Sequence, residues 1–253
     1  MDSNTGEASD TRRAAIITAL REGVRRVDEL ADCCGVSPMT IRRDLQFLEE
    51  QGAVRRIRGG AVPVDTWTFE HRLGRGAEAK RRIAEKLLPL VPDQGGIGLD
   101  GSSTAHHLTL ALQSRTPRDL TAVTTGLETF HRLSRIPGVR AYSTGGSSDV
   151  DTGSLVGPLA QLTLQQFALE TCFLSATYLD PTLGSTEFTA EEATVKRAMV
   201  AVSKRTVLAV DSTKLNRHAV AKCLGLDEVD LLVTELAPDD ATLTPYRELV
   251  EIL

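Results

Sequence analysis

From Ala77 onward, stretches whose apolar residues recur at helical spacing alternate with short continuous apolar runs. This alternation constrains the fold more than any other feature of the chain. Ile83, Ala84, Leu87 and Leu88 mark a first helix, and residues 105–112, 127–134, 159–168 and 191–202 mark others. The runs 96–99, 120–123, 139–143, 172–176, 206–210 and 231–233 read as strands. Strands that hand over repeatedly to helices predict an α/β domain built on a mainly parallel, doubly wound sheet. In such sheets ligands bind beyond the carboxyl ends of the strands.

The chain places small polar residues at those ends. Asp100-Gly101-Ser102-Ser103-Thr104 follows the first strand, Thr124-Thr125-Gly126 the second, Gly145-Gly146 the third, and Asp211-Ser212-Thr213-Lys214 the run 206–210. Hydroxyls and open N–H groups at a helix start bind anions, phosphate above all. One such cluster is more often a cap or a turn than a site. Four of them on strand ends that face the same way read as a pocket for a phosphorylated small molecule. Its candidate residues are Asp100, Gly101, Ser102, Ser103, Thr104, Thr124, Thr125, Gly126, Gly145, Gly146, Asp211 and Lys214, with Lys214 supplying positive charge.

The front of the chain follows another rhythm. Residues 11–22 read as a helix with Ile16, Ile17 and Leu20 on one face, and 27–34 as a second, short helix. Gly35-Val36 makes a turn, and Ser37-Pro38 opens a third helix with serine as N-cap and proline at the first helical position. Ile41, Leu45 and Leu48 form its buried stripe, which leaves Met39, Thr40, Arg42 and Arg43 outward at its start. Recognition helices read the major groove with such N-terminal residues, and arginine is the commonest reader of guanine. The bland alternative is a solvated face on an ordinary helical hairpin. Residues 53–64, folded about Gly59-Gly60, add a β-hairpin bearing Arg55, Arg56 and Arg58, placed to meet phosphates or a minor groove. The candidate DNA-binding residues are Ser37, Met39, Thr40, Arg42, Arg43, Arg55, Arg56, Arg58 and Gly59. The net charge of −5 does not oppose this, because residues 1–76 hold 12 Arg and no Lys against 12 acids, leaving the excess acidity to the rear.

The expected organisation is a winged helix-turn-helix over 1–64, a joint over 65–76, and an α/β sensing and oligomerisation domain over 77–253. Trp67 and Phe69 are expected to dock the joint onto the rear domain, since an exposed linker has little use for two large aromatics. Cys33, Cys34, Cys172 and Cys223 lack zinc or redox spacing, and His71, His106 and His107 have no metal-ligand partners at useful spacing, so neither metal nor cofactor is expected. No apolar run is long enough to span a membrane and no secretory start is visible, which predicts a cytoplasmic protein.

The run Val36 to Val62, VSPMTIRRDLQFLEEQGAVRRIRGGAV, resembles the N-terminal domain of DeoR-family regulators, and the segment Phe69-Glu70-His71-Arg72 is similar to what that family carries after its wing. DGSST at 100–104, the GG pair, SLVG at 154–157, EATVK at 192–196 and DSTK at 211–214 resemble the family's C-terminal domain. The resemblance implies an operator-binding regulator, more often a repressor, with a sugar phosphate or related phosphometabolite as effector. It also implies a rear fold similar to sugar-phosphate isomerases. Two departures stand out: Thr125 where the family usually has asparagine, and the run 173–180 with Ser175 and Tyr178 where it tends to read F-x-G-x-x-G-I-D. Two rival readings follow. One is a sensor domain that only oligomerises; the other is an isomerase-like enzyme using Asp100, Asp211 or Glu187 as base and Lys214 to polarise a carbonyl. Fold similarity alone does not carry activity.

Overall fold

The computed structural model describes the chain apart from residues 1, 2, 22, 23, 25, 51–53, 58, 64–68, 150 and 151, and apart from the side chains of 3–8, 10, 21, 55, 57, 62, 63, 70 and 71. It divides into two compact units, Met1–Trp67 and Thr68–Leu253.

The front unit comprises α1 (Ser3–Arg21), α2 (Val27–Cys34), α3 (Pro38–Glu50), β1 (Val54–Ile57) and β2 (Gly60–Pro63). Helix α1 starts at Ser3 rather than near Thr11. Its first turns carry no apolar stripe, so hydrophobic spacing gave no signal there. Gly35 ends α2 at φ 63°, a left-handed conformation that glycine adopts without steric cost. Ile16, Leu20, Leu30, Ile41, Leu45 and Val54 are buried together as the core. Asp44, the one buried acid of this core among the described residues, receives Arg12 Nε at 2.6 Å and Arg13 Nε at 3.1 Å, so two front arginines hold α1 to α3. β1 and β2 pair antiparallel, and Gly59 turns between them at φ 83°.

The rear unit begins with α4 (Phe69–Gly74) and α5 (Ala77–Leu87). The described part of the segment expected as a joint is therefore helical up to Gly74, with a turn at Arg75-Gly76; Trp67 lies outside the described residues. Then come β3 (Gln94–Leu99), α6 (Ser103–Leu112), β4 (Asp119–Thr124), α7 (Leu127–Leu133) and β5 (Val139–Ser143). The second half holds β6 (Ser147–Ser148), β7 (Leu155–Val156), α8 (Pro158–Leu164), β8 (Thr171–Leu174), β9 (Tyr178–Asp180), β10 (Gly184–Glu187), α9 (Ala190–Ala201), β11 (Thr206–Ala209), β12 (Ala221–Lys222) and β13 (Leu231–Val233).

Six strands form one parallel sheet in the order β13-β11-β8-β3-β4-β5. Side chains alternate across it. On β8, Cys172 and Leu174 face a core shared with α8 and α9, whereas Phe173 faces one shared with α5 and α6. Helices thus cover both faces, as the alternation predicts. The chain winds outward from β3 to β5, then crosses back to β8 and winds the other way. β3 and β8 are adjacent, and between them lies the switch point where doubly wound sheets open a crevice. The small sheet β12-β10-β9 carried no sequence signal, because β10 reads Gly-Ser-Thr-Glu and is buried throughout without an apolar residue.

Candidate functional site

In the rear unit the loops at the switch point are built on Asp100. Its Oδ1 accepts the N–H of Ser102 at 3.1 Å and its Oδ2 that of Ser175 at 2.8 Å, tying the end of β3 to the end of β8. This also explains why β8 stops at Leu174: the next N–H leaves the ladder for a carboxylate. Ser102 caps α6, its Oγ accepting the N–H of Ala105 at 3.0 Å. The N–H groups of Ser103 and Thr104 are the orphans of the first helical turn, and no acceptor takes them among the described residues. Thr104 Oγ1 is buried without a partner as well.

Lys196 of α9 lies beneath this loop. Its Nζ is 2.7 Å from Glu187 Oε1, 2.8 Å from the Ser175 carbonyl and 3.3 Å from Asp100 Oδ2. Burial alone would neutralise it, but Glu187, Asp100 and Glu192 outweigh that and hold its pKa above the ordinary lysine value. Thr177 Oγ1 donates to the other Glu187 oxygen at 2.9 Å, and Thr152 Oγ1 to Glu192 at 2.6 Å. Lys214 differs. Its Nζ donates to Ser175 Oγ at 3.1 Å and the Ala176 carbonyl at 2.7 Å, and it forms no ion pair among the described residues. Burial lowers its pKa, partly offset by Asp211. Lys80 of α5, also buried, donates to the carbonyls of Arg72 and Arg75, and burial aided by Lys214 lowers its pKa to about 8. Arg72 donates to the carbonyls of Gly101 and Thr152.

The expected residues take different places. The loops after β3 and β4 meet: a Cβ on Gly126 would sit 3.0 Å from Gly101 Cα, and one on Gly101 would sit 2.3 Å from Ser154 Oγ. Thr124 Oγ1 is spent on the N–H of Gly126, and Thr125 binds Leu99 and Leu155 through its backbone. Asp211 caps the short turn Ser212–Lys214. Gly145 and Gly146 shape a turn at the end of β5, where a Cβ on Gly146 would meet the Val156 carbonyl at 2.5 Å; among the described residues no hydrogen bond ties them to the lysines. Lys196, Glu192, Arg72, Lys80 and Thr152 carried no expected site role in the sequence, and Glu187 only that of a base in the enzyme reading. Only the motifs at 69–72 and 192–196 hinted at three of them, since a buried charge has no local signature.

In the front unit Ser37 Oγ accepts the N–H of Thr40 at 3.2 Å and lies 2.9 Å from Thr40 Oγ1, so both hydroxyls serve the cap. Met39, Arg42 and Arg43 are exposed on the first turns of α3, and neither arginine has an ion-pair partner among the described residues. Arg56 lies near Glu49, which also takes its backbone N–H at 2.9 Å. The Gly59 carbonyl accepts the N–H of Val27, docking the hairpin turn on α2. The side chain of Arg55 and all of Arg58 lie outside the described residues. No metal-binding group of His, Cys, Asp or Glu and no helix able to cross a membrane occurs among the described residues.

Residues 12–66 match the DeoR-like helix-turn-helix domain, and residues 75–236 match the DeoR C terminal sensor domain. The chain is similar to the HTH-type transcriptional regulator GolR of Listeria innocua, with 33% identity over 226 residues, covering 88% of each chain. It is also similar to the transcriptional repressor AccR of Agrobacterium fabrum, with 30% identity over 234 residues and 90% of each chain covered. Among solved structures it is similar to ribose 5 phosphate isomerase A from Neisseria gonorrhoeae, at 21% identity and a TM-score of 0.40 over 54% of this chain and 52% of that one.

Proposed function

Because this chain belongs to the DeoR family of DNA-binding transcription regulators, we propose that it is a repressor whose operator affinity is set by a phosphorylated small molecule, a sugar phosphate or related phosphometabolite. The effector sits at the carboxyl ends of β3, β4 and β11, and α3 with the wing contacts double-stranded operator DNA. The observation that carries the effector site is the combination of Lys214, whose ammonium forms no ion pair among the described residues, with the N–H groups of Ser103 and Thr104, which no described residue accepts. A buried ammonium and two aligned backbone donors gain most from a compact dianion.

The chain is a regulator rather than an enzyme. Two of the carboxylates an isomerase-like reaction would use as base are occupied: Asp100 by two backbone N–H groups, and Glu187 by Lys196 and Thr177. Sensor units associate into a homo-oligomer that presents recognition helices to paired half-sites. Effector binding favours an arrangement that no longer matches half-site spacing. Such a protein works in the cytoplasm.

The test is a thermal-shift screen against phosphorylated sugars and polyols beside their unphosphorylated counterparts, followed by operator titration with each hit. The expected result is stabilisation by phosphorylated compounds alone, abolished in Lys214→Met, with weakened operator binding. A chain that no phosphorylated compound stabilises would shift the reading to a sensor domain that only oligomerises. An effector that binds without altering operator affinity would overturn the gating.

A further inference from the structure

A cleft of about 350 Å³ opens in the rear unit where α4, α6 and α7 meet, and none of its lining residues belongs to the lysine cluster. That volume matches small-ligand sites, which start near ~300 Å³. One wall is apolar, formed by Phe69 and Leu73 of α4. The facing wall carries Arg132 of α7 and Arg135 just beyond it, one helical turn apart, with Glu128 at the same helix. Neither arginine forms an ion pair among the described residues, and neither does Glu128. His106 and His131 complete the lining; His106 is 4% exposed, and its Nδ1 is buried with no hydrogen-bond partner among the described residues. Phe69 meets the His106 ring edge-on at 5.0 Å, which fixes the imidazole in place.

We propose that this cleft is a second ligand site, for a small organic acid whose carboxylate lies on Arg132 and Arg135 and whose apolar body rests on Phe69 and Leu73. Two guanidinium forks give a carboxylate paired charge-assisted hydrogen bonds, and the net charge of the arginine wall is positive despite Glu128. Burial and Arg132 together depress the His106 pKa to about 4, so at neutral pH the ring is uncharged. A phosphosugar suits the cleft less well, because its polyol body would face an aromatic and a leucine. The site bears on regulation because α4 is shared: Phe69 and Leu73 line the cleft, while Arg72 on the same helix reaches Gly101 and Thr152 of the effector loops.

Benzoate serves as the probe, with benzamide as its uncharged counterpart, titrated into the full-length chain by calorimetry and ligand-observed NMR. Saturable benzoate binding without benzamide binding is expected. It should weaken tenfold or more in Arg132→Gln/Arg135→Gln, both partly or fully exposed positions whose exchange leaves the fold intact by circular dichroism. Benzoate binding should be unchanged in Lys214→Met, which separates this site from the effector site: phosphosugar binding should show the reverse pattern. Absence of saturable benzoate binding up to millimolar concentrations, or binding that survives the double variant, would overturn the proposal.

Discussion

The two units handle charge in opposite ways. Among the described residues, the front unit buries one acid, Asp44, and satisfies it with Arg12 and Arg13, while Arg42 and Arg43 stay in solvent. The rear unit buries Lys80, Asp100, Glu187, Glu192, Lys196 and Asp211 around one crevice. DNA offers a regular line of phosphates, so exposed arginines on a rigid helix suffice and cost nothing to keep hydrated. A small ligand offers few contacts, so its site must be organised before it arrives, and desolvated charges held by a network do that at a cost in stability.

The hardest test of that contrast is Lys196→Met. It strands Glu187 and Asp100 without their cation and should cost about 3–5 kcal/mol of sensor-unit stability, measured by urea unfolding of the full chain. A loss below about 1 kcal/mol would mean that the buried network is not what holds the crevice. Next is Gly101→Ala, whose Cβ would sit 2.3 Å from Ser154 Oγ. Pushing the loops apart should cost about 1–3 kcal/mol and abolish effector binding, while operator binding without effector persists. Arg42→Ala and Arg43→Ala should each weaken operator binding by about 1–3 kcal/mol yet leave thermal stability within about 0.5 kcal/mol. The one that reads a base should also relax specificity at one position, and the one on phosphate should weaken binding uniformly across sequences and flatten the salt dependence.

Lys80 sharpens the comparison through pH. Burial, reinforced by Lys214, lowers its value in the folded chain from 10.5 to about 8. A bound phosphate favours the charged ammonium, so the affinity that Lys80 contributes is complete below about pH 8 and is lost as pH rises through it. Phosphate monoesters are already dianionic above pH 7, so the ligand itself adds no trend there. Effector affinity measured from pH 7 to 9 should decline, and a flat profile would remove Lys80 from the site. Operator affinity should stay level, because arginine does not titrate there. The smallest effect is that of Ser37→Ala, which removes the N-cap of α3 and should cost the front unit about 1 kcal/mol, leaving effector binding unchanged.

The sequence by itself determined the secondary-structure rhythm, the winged helix-turn-helix, the parallel sheet and which loops lie at its carboxyl ends. Each of these follows from local periodicity or from a local cap: Ser37-Pro38 opening α3, the apolar runs of the six strands, Ser102 opening α6. Only the tertiary structure decided which of those loops meet and which charges face them. Asp100 joins Ser175 across two strands far apart in sequence, and Lys196 reaches Asp100 from a helix on one face of the sheet. Lys80 comes from α5, packed within the core on the opposite face. Burial and long-range pairing select these groups, and neither leaves a period in the chain. The buried strand Gly184–Glu187 went unseen for the same reason: its residues are hidden by their neighbours rather than by their own apolar character. Exposed recognition residues can be read one at a time, whereas a buried charge has meaning only once its partner is in place.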